Sequence, residues 1–161
     1  MLSCFQILHT ENDRLQVGLG TDVSGGYSPS LLTTIQHASI ASKVVASQSS
    51  PTTPTETTTA QFSNRQLSVA TLLYLATLGG AQVCDLQAQV GSFAPGKSFD
   101  ALFVSVRDNI DNPNVWGVNS ENGAEFTLES MLETFLFCGN DRNITRVYVQ
   151  GRLIGGKAFR Y

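Results

Sequence analysis

The sequence predicts an α/β fold, on three observations. Leu15, Val17 and Leu19 form a short apolar stretch running into Gly20-Thr21-Asp22 and then Gly25-Gly26, the pattern of a strand that delivers its C-terminal end to a glycine-rich loop. Leu31, Ile35, Ala38, Ala41 and Val45 then step by fours and threes, which gives a helix one apolar face. Beyond Gly91 the periodicity changes to that of strands, at Ala101 to Val106 and again in a hairpin over Ile144 to Ile154 that turns near Gln150-Gly151.

Each element has local reasons. Ser28-Pro29 predicts the start of the first helix, with Ser28 as its cap and Pro29 at the first helical position, where a missing N–H costs nothing. Residues 47–62 are almost all Ser, Thr and Pro and carry one charge, Glu56. With almost no large apolar side chain to offset its entropy, the segment predicts a disordered surface insertion. A second helix is expected from Leu67-Ser68 through Val69, Leu72, Leu73 and Ala76, broken by Gly79-Gly80, with a further helical turn over Ala81 to Leu86. Leu128, Met131, Leu132, Phe135 and Leu136 mark another near 128–138, capped by Thr127 and ended by Gly139. Residues 107–126, rich in Asn, Asp and Gly, read as loop.

Composition narrows the function. Ten basic and 13 acidic residues make 14% of a 161-residue chain, against roughly 25% in an average globular protein, so Ser, Thr, Asn and Gln supply the polar surface. A net charge of −3 and a pI near 5.2 argue against nucleic acid or an anionic membrane as partner. Three scattered cysteines, Cys4, Cys84 and Cys138, make neither a disulfide scaffold nor a zinc knuckle, and a reducing, cytoplasmic setting is expected. The first nine residues lack a basic region and their apolar stretch is broken by Gln6, unlike a signal peptide, and no run reaches the roughly 18 apolar residues of a membrane span.

Two motif matches fail on context. Gly91 to Ser98 satisfies GxxxxGK[ST], but that phosphate loop needs a strand before it and a helix beginning at the Lys. Here a helical stretch precedes Lys97, strand periodicity follows, and Pro95 removes an amide, so a turn and no nucleotide site is expected. Gly18-Leu19-Gly20-Thr21-Asp22-Val23 begins like a dinucleotide fingerprint, yet Val23 stands where the third glycine belongs. What remains is Asp22, a carboxylate at a strand's C-terminal tip between glycines. On spacing alone it suits either a catalytic position or an Asx turn that steadies the loop.

Four stretches, in order, resemble guanine deaminases of the amidohydrolase superfamily: VGLGTDVSGGYSPSLL from Val17, LYLATLGGAQ from Leu73, GSFAPGKSFDA from Gly91 and GNDRNITRVYVQGRLI from Gly139. The resemblance implies the last strand and flanking helices of a metal-dependent TIM barrel over residues 1–88. Over 89–161 it implies the C-terminal share of a small composite β-sandwich domain with one helix. A complete eight-stranded barrel needs about 250 residues, so the whole one is not here. Met1 would stand in the helix before the last strand, and the chain reads as a truncated piece, inactive alone.

The same resemblance implies one zinc ion, guanine as substrate, xanthine and ammonia as products, a homodimer, and for Asp22 the roles of metal ligand and proton acceptor. The family's histidine ligands and purine-gripping residues have no counterpart in this sequence. His9 and His37 are 28 positions apart, outside any HxH pair, and read as surface histidines, while Cys84 and Cys138 read as small core side chains. Asn143-Ile144-Thr145 is a glycosylation sequon, expected to be idle. The alternatives are a non-catalytic interaction module built on the fold's tail, and a deaminase of another heterocycle such as a triazine or cytosine.

Overall fold

The structure, a computed structural model, describes residues 5–9, 15–48, 66–107, 110–115 and 127–160. They resolve into two compact units, Met1–Gln87 and Ala88–Tyr161.

In the first unit β1 (Phe5–His9) lies antiparallel to β2 (Leu15–Leu19), with Phe5 opposite Leu19 and His9 opposite Leu15. The expected helix around Met1 is therefore corrected from Phe5 onward. Phe5 and Ile7 alternate with Gln6, a two-residue period that suits a strand, and the pairing satisfies one edge of β2.

Helix α1 (Leu31–Gln48) begins two residues later than Ser28-Pro29 suggests. Ser28 Oγ accepts from the Ser30 N–H at 3.1 Å, which turns the chain, and Ser30 heads the helix, its carbonyl accepting from the Thr34 N–H at 3.2 Å. Thr34, Ile35, Ala38, Ser39 and Ala46 are buried. Val45 is 64% exposed, as Ile40 and Val44 are exposed, so the buried stripe is rotated toward the small residues. The Ser/Thr segment expected to begin at 47 starts inside this helix, whereas 49–62 lie outside the described residues.

Helix α2 (Val69–Ala76) is capped by Ser68, whose Oγ accepts from the Thr71 N–H at 3.1 Å, and it buries Leu72 and Leu75. Its entry is tied to α1 by the Leu67 N–H, which donates to Ser42 Oγ at 3.2 Å. The break comes at Thr77, and Gly79 and Gly80 sit within the next helix, α3 (Leu78–Val83), rather than ending the previous one. Close approach explains the glycines: a Cβ on Gly18 of β2 would stand 2.8 Å from Gly80 Cα, and one on Gly79 would stand 3.0 Å from the Val17 carbonyl oxygen. Strand and helix thus meet backbone to backbone.

The second unit carries a three-stranded antiparallel sheet in the order β3 (Ala101–Val104), β4 (Ile144–Val149), β5 (Arg152–Gly155). Gln150 at φ 49° and Gly151 at φ 75° form the hairpin turn. That turn is fastened to the chain before β3, because the Gln150 N–H donates to Asp100 Oδ1 at 2.7 Å and the Gly151 N–H to the Phe99 carbonyl at 2.9 Å. Helix α4 (Leu128–Cys138) has the expected Thr127 cap and buries Leu136.

Asn143 is fully buried between α4 and β4 and closes a hub. Its Oδ1 accepts from Asn112 Nδ2 at 2.7 Å and from the Asn140 N–H at 3.0 Å, while its Nδ2 donates to the Ser105 carbonyl at 2.8 Å. In the described part of the 107–126 loop, Ile110, Asn112 and Val115 are buried, while Arg107, Asp111, Pro113 and Asn114 are exposed.

Candidate functional site

Asp22 stands three residues beyond the end of β2, exposed, in the left-handed backbone region at φ 47°. Asp tolerates this region better than most residues. The turn closes on its main chain: the Gly25 N–H donates to the Asp22 carbonyl at 3.0 Å and the Gly26 N–H donates to the same oxygen. Ser24, between them, is held at φ 99°, where side chains other than glycine's are strained. Gly25 adjoins the carboxylate, since a Cβ there would lie 3.2 Å from Asp22 Oδ2. A Cβ on Gly26 would overlap the Thr21 carbonyl oxygen. The sequence shows the aspartate between glycines but does not separate one glycine from the other. Their separate duties depend on φ angles and carbonyl positions that spacing does not carry.

The other candidates divide. His37 is half-buried, with its ring centroid 5.2 Å from that of Tyr27, so the imidazole is an aromatic neighbour of the loop rather than a plain surface histidine. The side chain of His9 and all of Cys4 lie outside the described residues. Cys84 and Cys138 are exposed, which corrects their reading as core residues. Cys84 caps the end of α3 and Cys138 is the last residue of α4, both at helix ends beyond the buried residues of those helices.

Among the described residues, no three His, Cys, Asp or Glu side chains converge where an ion would sit. Asp22 is the sole acid between Gly18 and Gln48. A catalytic zinc takes three protein ligands, so these residues alone do not fit one.

The Gly91–Ser98 stretch is a self-contained turn followed by β3. Lys97 Nζ donates to Ser92 Oγ at 2.8 Å and to the Val90 carbonyl at 3.4 Å, and thus fastens its own loop. The sequon asparagine is Asn143, whose amide nitrogen is already committed to the Ser105 carbonyl. In the second unit a cavity of about 590 Å³ is floored by Ile110, Ile144 and Val147. Of its charged lining residues Asp111, Asp141, Arg142 and Lys157, Lys157 Nζ lies 3.1 Å from Asp111 Oδ2, and none of the expected site residues lines it. No helix among the described residues is long and apolar enough to cross a membrane.

Comparison with known proteins agrees with the resemblance read from the four stretches. The chain is 37% identical over 148 residues to a probable guanine deaminase of Schizosaccharomyces pombe, covering 88% of this chain and 24% of that protein. It is 34% identical to the guanine deaminase of Mus musculus, over 92% of this chain and 29% of that one. Among solved structures, E. coli guanine deaminase superposes with a TM-score of 0.64 at 27% identity, over 90% of this chain and 28% of that chain. A guanine deaminase from C. acetobutylicum with guanine bound in its active site gives 0.58 at 29% identity, over 86% and 27%. The chain therefore spans about a quarter to three tenths of the length of the relatives it matches. The amidohydrolase family pattern matches residues 5–154, and with an α/β structure that superposes on solved members, this chain belongs to the amidohydrolase family.

Proposed function

We propose that these residues belong to a guanine deaminase and contribute Asp22, the strand-end carboxylate, to a hydrolytic site whose other groups they do not supply. In this reading the first unit is the end of a metal-dependent barrel and the second is the C-terminal share of a small β domain. The observation that carries the proposal is the exposed carboxylate just beyond the end of β2, in a chain 34% identical over 148 residues to a guanine deaminase. On barrels of this kind, catalytic groups come from the C-terminal ends of strands.

The chemistry assigned to Asp22 is proton transfer. Hydrolytic removal of an exocyclic amine requires water to lose a proton as it attacks the ring carbon and the leaving nitrogen to gain one. A positioned carboxylate serves both steps. Asp22 would also be one ligand of a zinc ion, with the remaining ligands supplied from outside these 161 residues.

A chimera tests the reading. The matching segment of E. coli guanine deaminase is replaced by this chain, and xanthine formation, zinc content and melting are followed. The unmodified chimera is expected to turn over guanine. Asp22→Asn keeps a residue suited to positive φ and is expected to reduce kcat by about 10²- to 10⁴-fold with the melting temperature unchanged. Near-normal turnover in Asp22→Asn would sink the assignment, as would a folded, zinc-loaded chimera with no activity.

A further inference from the structure

The loop after β2 spends backbone strain where a plain connection would not. Two non-glycine residues, Asp22 at φ 47° and Ser24 at φ 99°, stand in positive-φ conformations within three positions. Such conformations persist only where the surroundings over-determine them, and they concentrate at working sites. Here the surroundings are two glycines with different tasks. Gly26 brings its amide onto the Asp22 carbonyl from a position where any side chain would overlap the Thr21 carbonyl. Gly25 presents a bare Cα beside Asp22 Oδ2, where a methyl group would meet the carboxylate at 3.2 Å. The first contact fixes the main chain of Asp22 and the second leaves room for its side chain.

We propose that Gly25 and Gly26 are positioning residues for Asp22: Gly26 locks the turn that holds the aspartate at positive φ, and Gly25 keeps open the place where its carboxylate rests. The catalytic consequence rests on the reading of Asp22 given above, whereas the geometry does not. Ser24 is a third participant of opposite sign. Its strain belongs to the path between the two contacts, and glycine at that position would relieve it without touching Asp22.

The test has two arms. In the chimera, whether or not it turns over guanine, amide exchange is read residue by residue, and the Asp22 carboxyl carbon is followed in 13C-aspartate-labelled protein, its resonance assigned with Asp22→Asn. The Gly25 and Gly26 amides are expected to be protected relative to Val23. Gly26→Ala is expected to raise exchange at Gly25 by about tenfold or more, and Gly25→Ala to shift the Asp22 carboxyl resonance with exchange little changed. Ser24→Gly is expected to leave both signals intact and to raise the melting temperature. If Gly26→Ala does not fold, Gly25→Ala still decides, because its methyl group meets a side-chain oxygen that can move.

In the chimera, Gly25→Ala is expected to lower kcat by about tenfold or more with KM and melting unchanged, and Ser24→Gly to keep kcat. Unprotected Gly25 and Gly26 amides in the otherwise unmodified chimera would overturn the proposal. So would an unmoved carboxyl resonance in Gly25→Ala, or a moved resonance with unchanged kcat in an active chimera. An inactive unmodified chimera would instead count against the functional reading and leave the first arm to decide the geometry.

Discussion

At the scale of single residues, the weight falls on two side chains of opposite character. Asp22 is exposed on a strained turn, while Asn143 is buried and makes three hydrogen bonds at once. Removing the Asn143 amide leaves the Ser105 carbonyl, the Asn140 N–H and the Asn112 amide without this partner. Asn143→Ala is therefore expected to destabilise the second unit by about 2–4 kcal/mol, read as a lower urea midpoint. Asp141→Ala, at an exposed neighbour, should change it by no more than about 0.5 kcal/mol. Asp22 was legible in the sequence because glycines flank an acid at a strand tip. The Asn143 hub was not, because its partners Ser105 and Asn112 are 38 and 31 positions away and nothing in an Asn-rich loop marks which amide turns inward.

At the scale of elements, local signals served where the chemistry is local. Thr127 caps α4, Ser68 caps α2, and Gln150-Gly151 turns the hairpin, each within four residues of the groups it satisfies. Gly79-Gly80 misled because glycine in a helical pattern has two causes, termination and close approach, and only the facing strand tells them apart. That distinction can be measured. A methyl group on Gly18 would meet Gly80 Cα at 2.8 Å, and one on Gly79 would meet the Val17 carbonyl at 3.0 Å, so Gly18→Ala and Gly79→Ala are each expected to cost about 1–3 kcal/mol in thermal or urea unfolding. Gly80→Ala has ordinary room, its nearest contact being the Leu75 carbonyl at 3.5 Å. It is expected to be neutral or to stabilise by up to about 1 kcal/mol through helix propensity. A loss in Gly80→Ala equal to those in the other two would show that close approach to the neighbouring backbone does not distinguish these glycines.

At the scale of the whole molecule, the balance of burial is unusual. Among the described residues, sixteen large apolar side chains are exposed, against twelve buried apolar ones, of which four are alanines. Phe93, Phe99, Tyr148 and Phe103 form a run of neighbouring rings, with centroids 6.0, 5.5 and 5.6 Å apart, and both Phe93 and Phe99 are exposed. Exposed apolar surface on this scale favours association. The 161-residue chain by itself is expected to form oligomers whose size rises with concentration in light scattering, and a monodisperse monomer with cooperative melting would contradict this. The same chain is expected to form no xanthine when supplied with zinc and guanine, because its described residues offer one ligand where a catalytic zinc takes three. The antiparallel strands of the second sheet were legible from the change of periodicity near Gly91. The pairing of β1 with β2 was not, because five residues give too short a pattern to separate strand from helix.

The buried Asn143 sets two fates of one nitrogen against each other. The atom that a glycan would occupy in the Asn-Ile-Thr sequon is the atom that donates to the Ser105 carbonyl. Modification of the nascent chain would block closure of the hub, and closure would hide the acceptor from any transferase. Burial of this one nitrogen thus gives the idle sequon a structural reason that holds in any compartment: the folded chain offers no acceptor there.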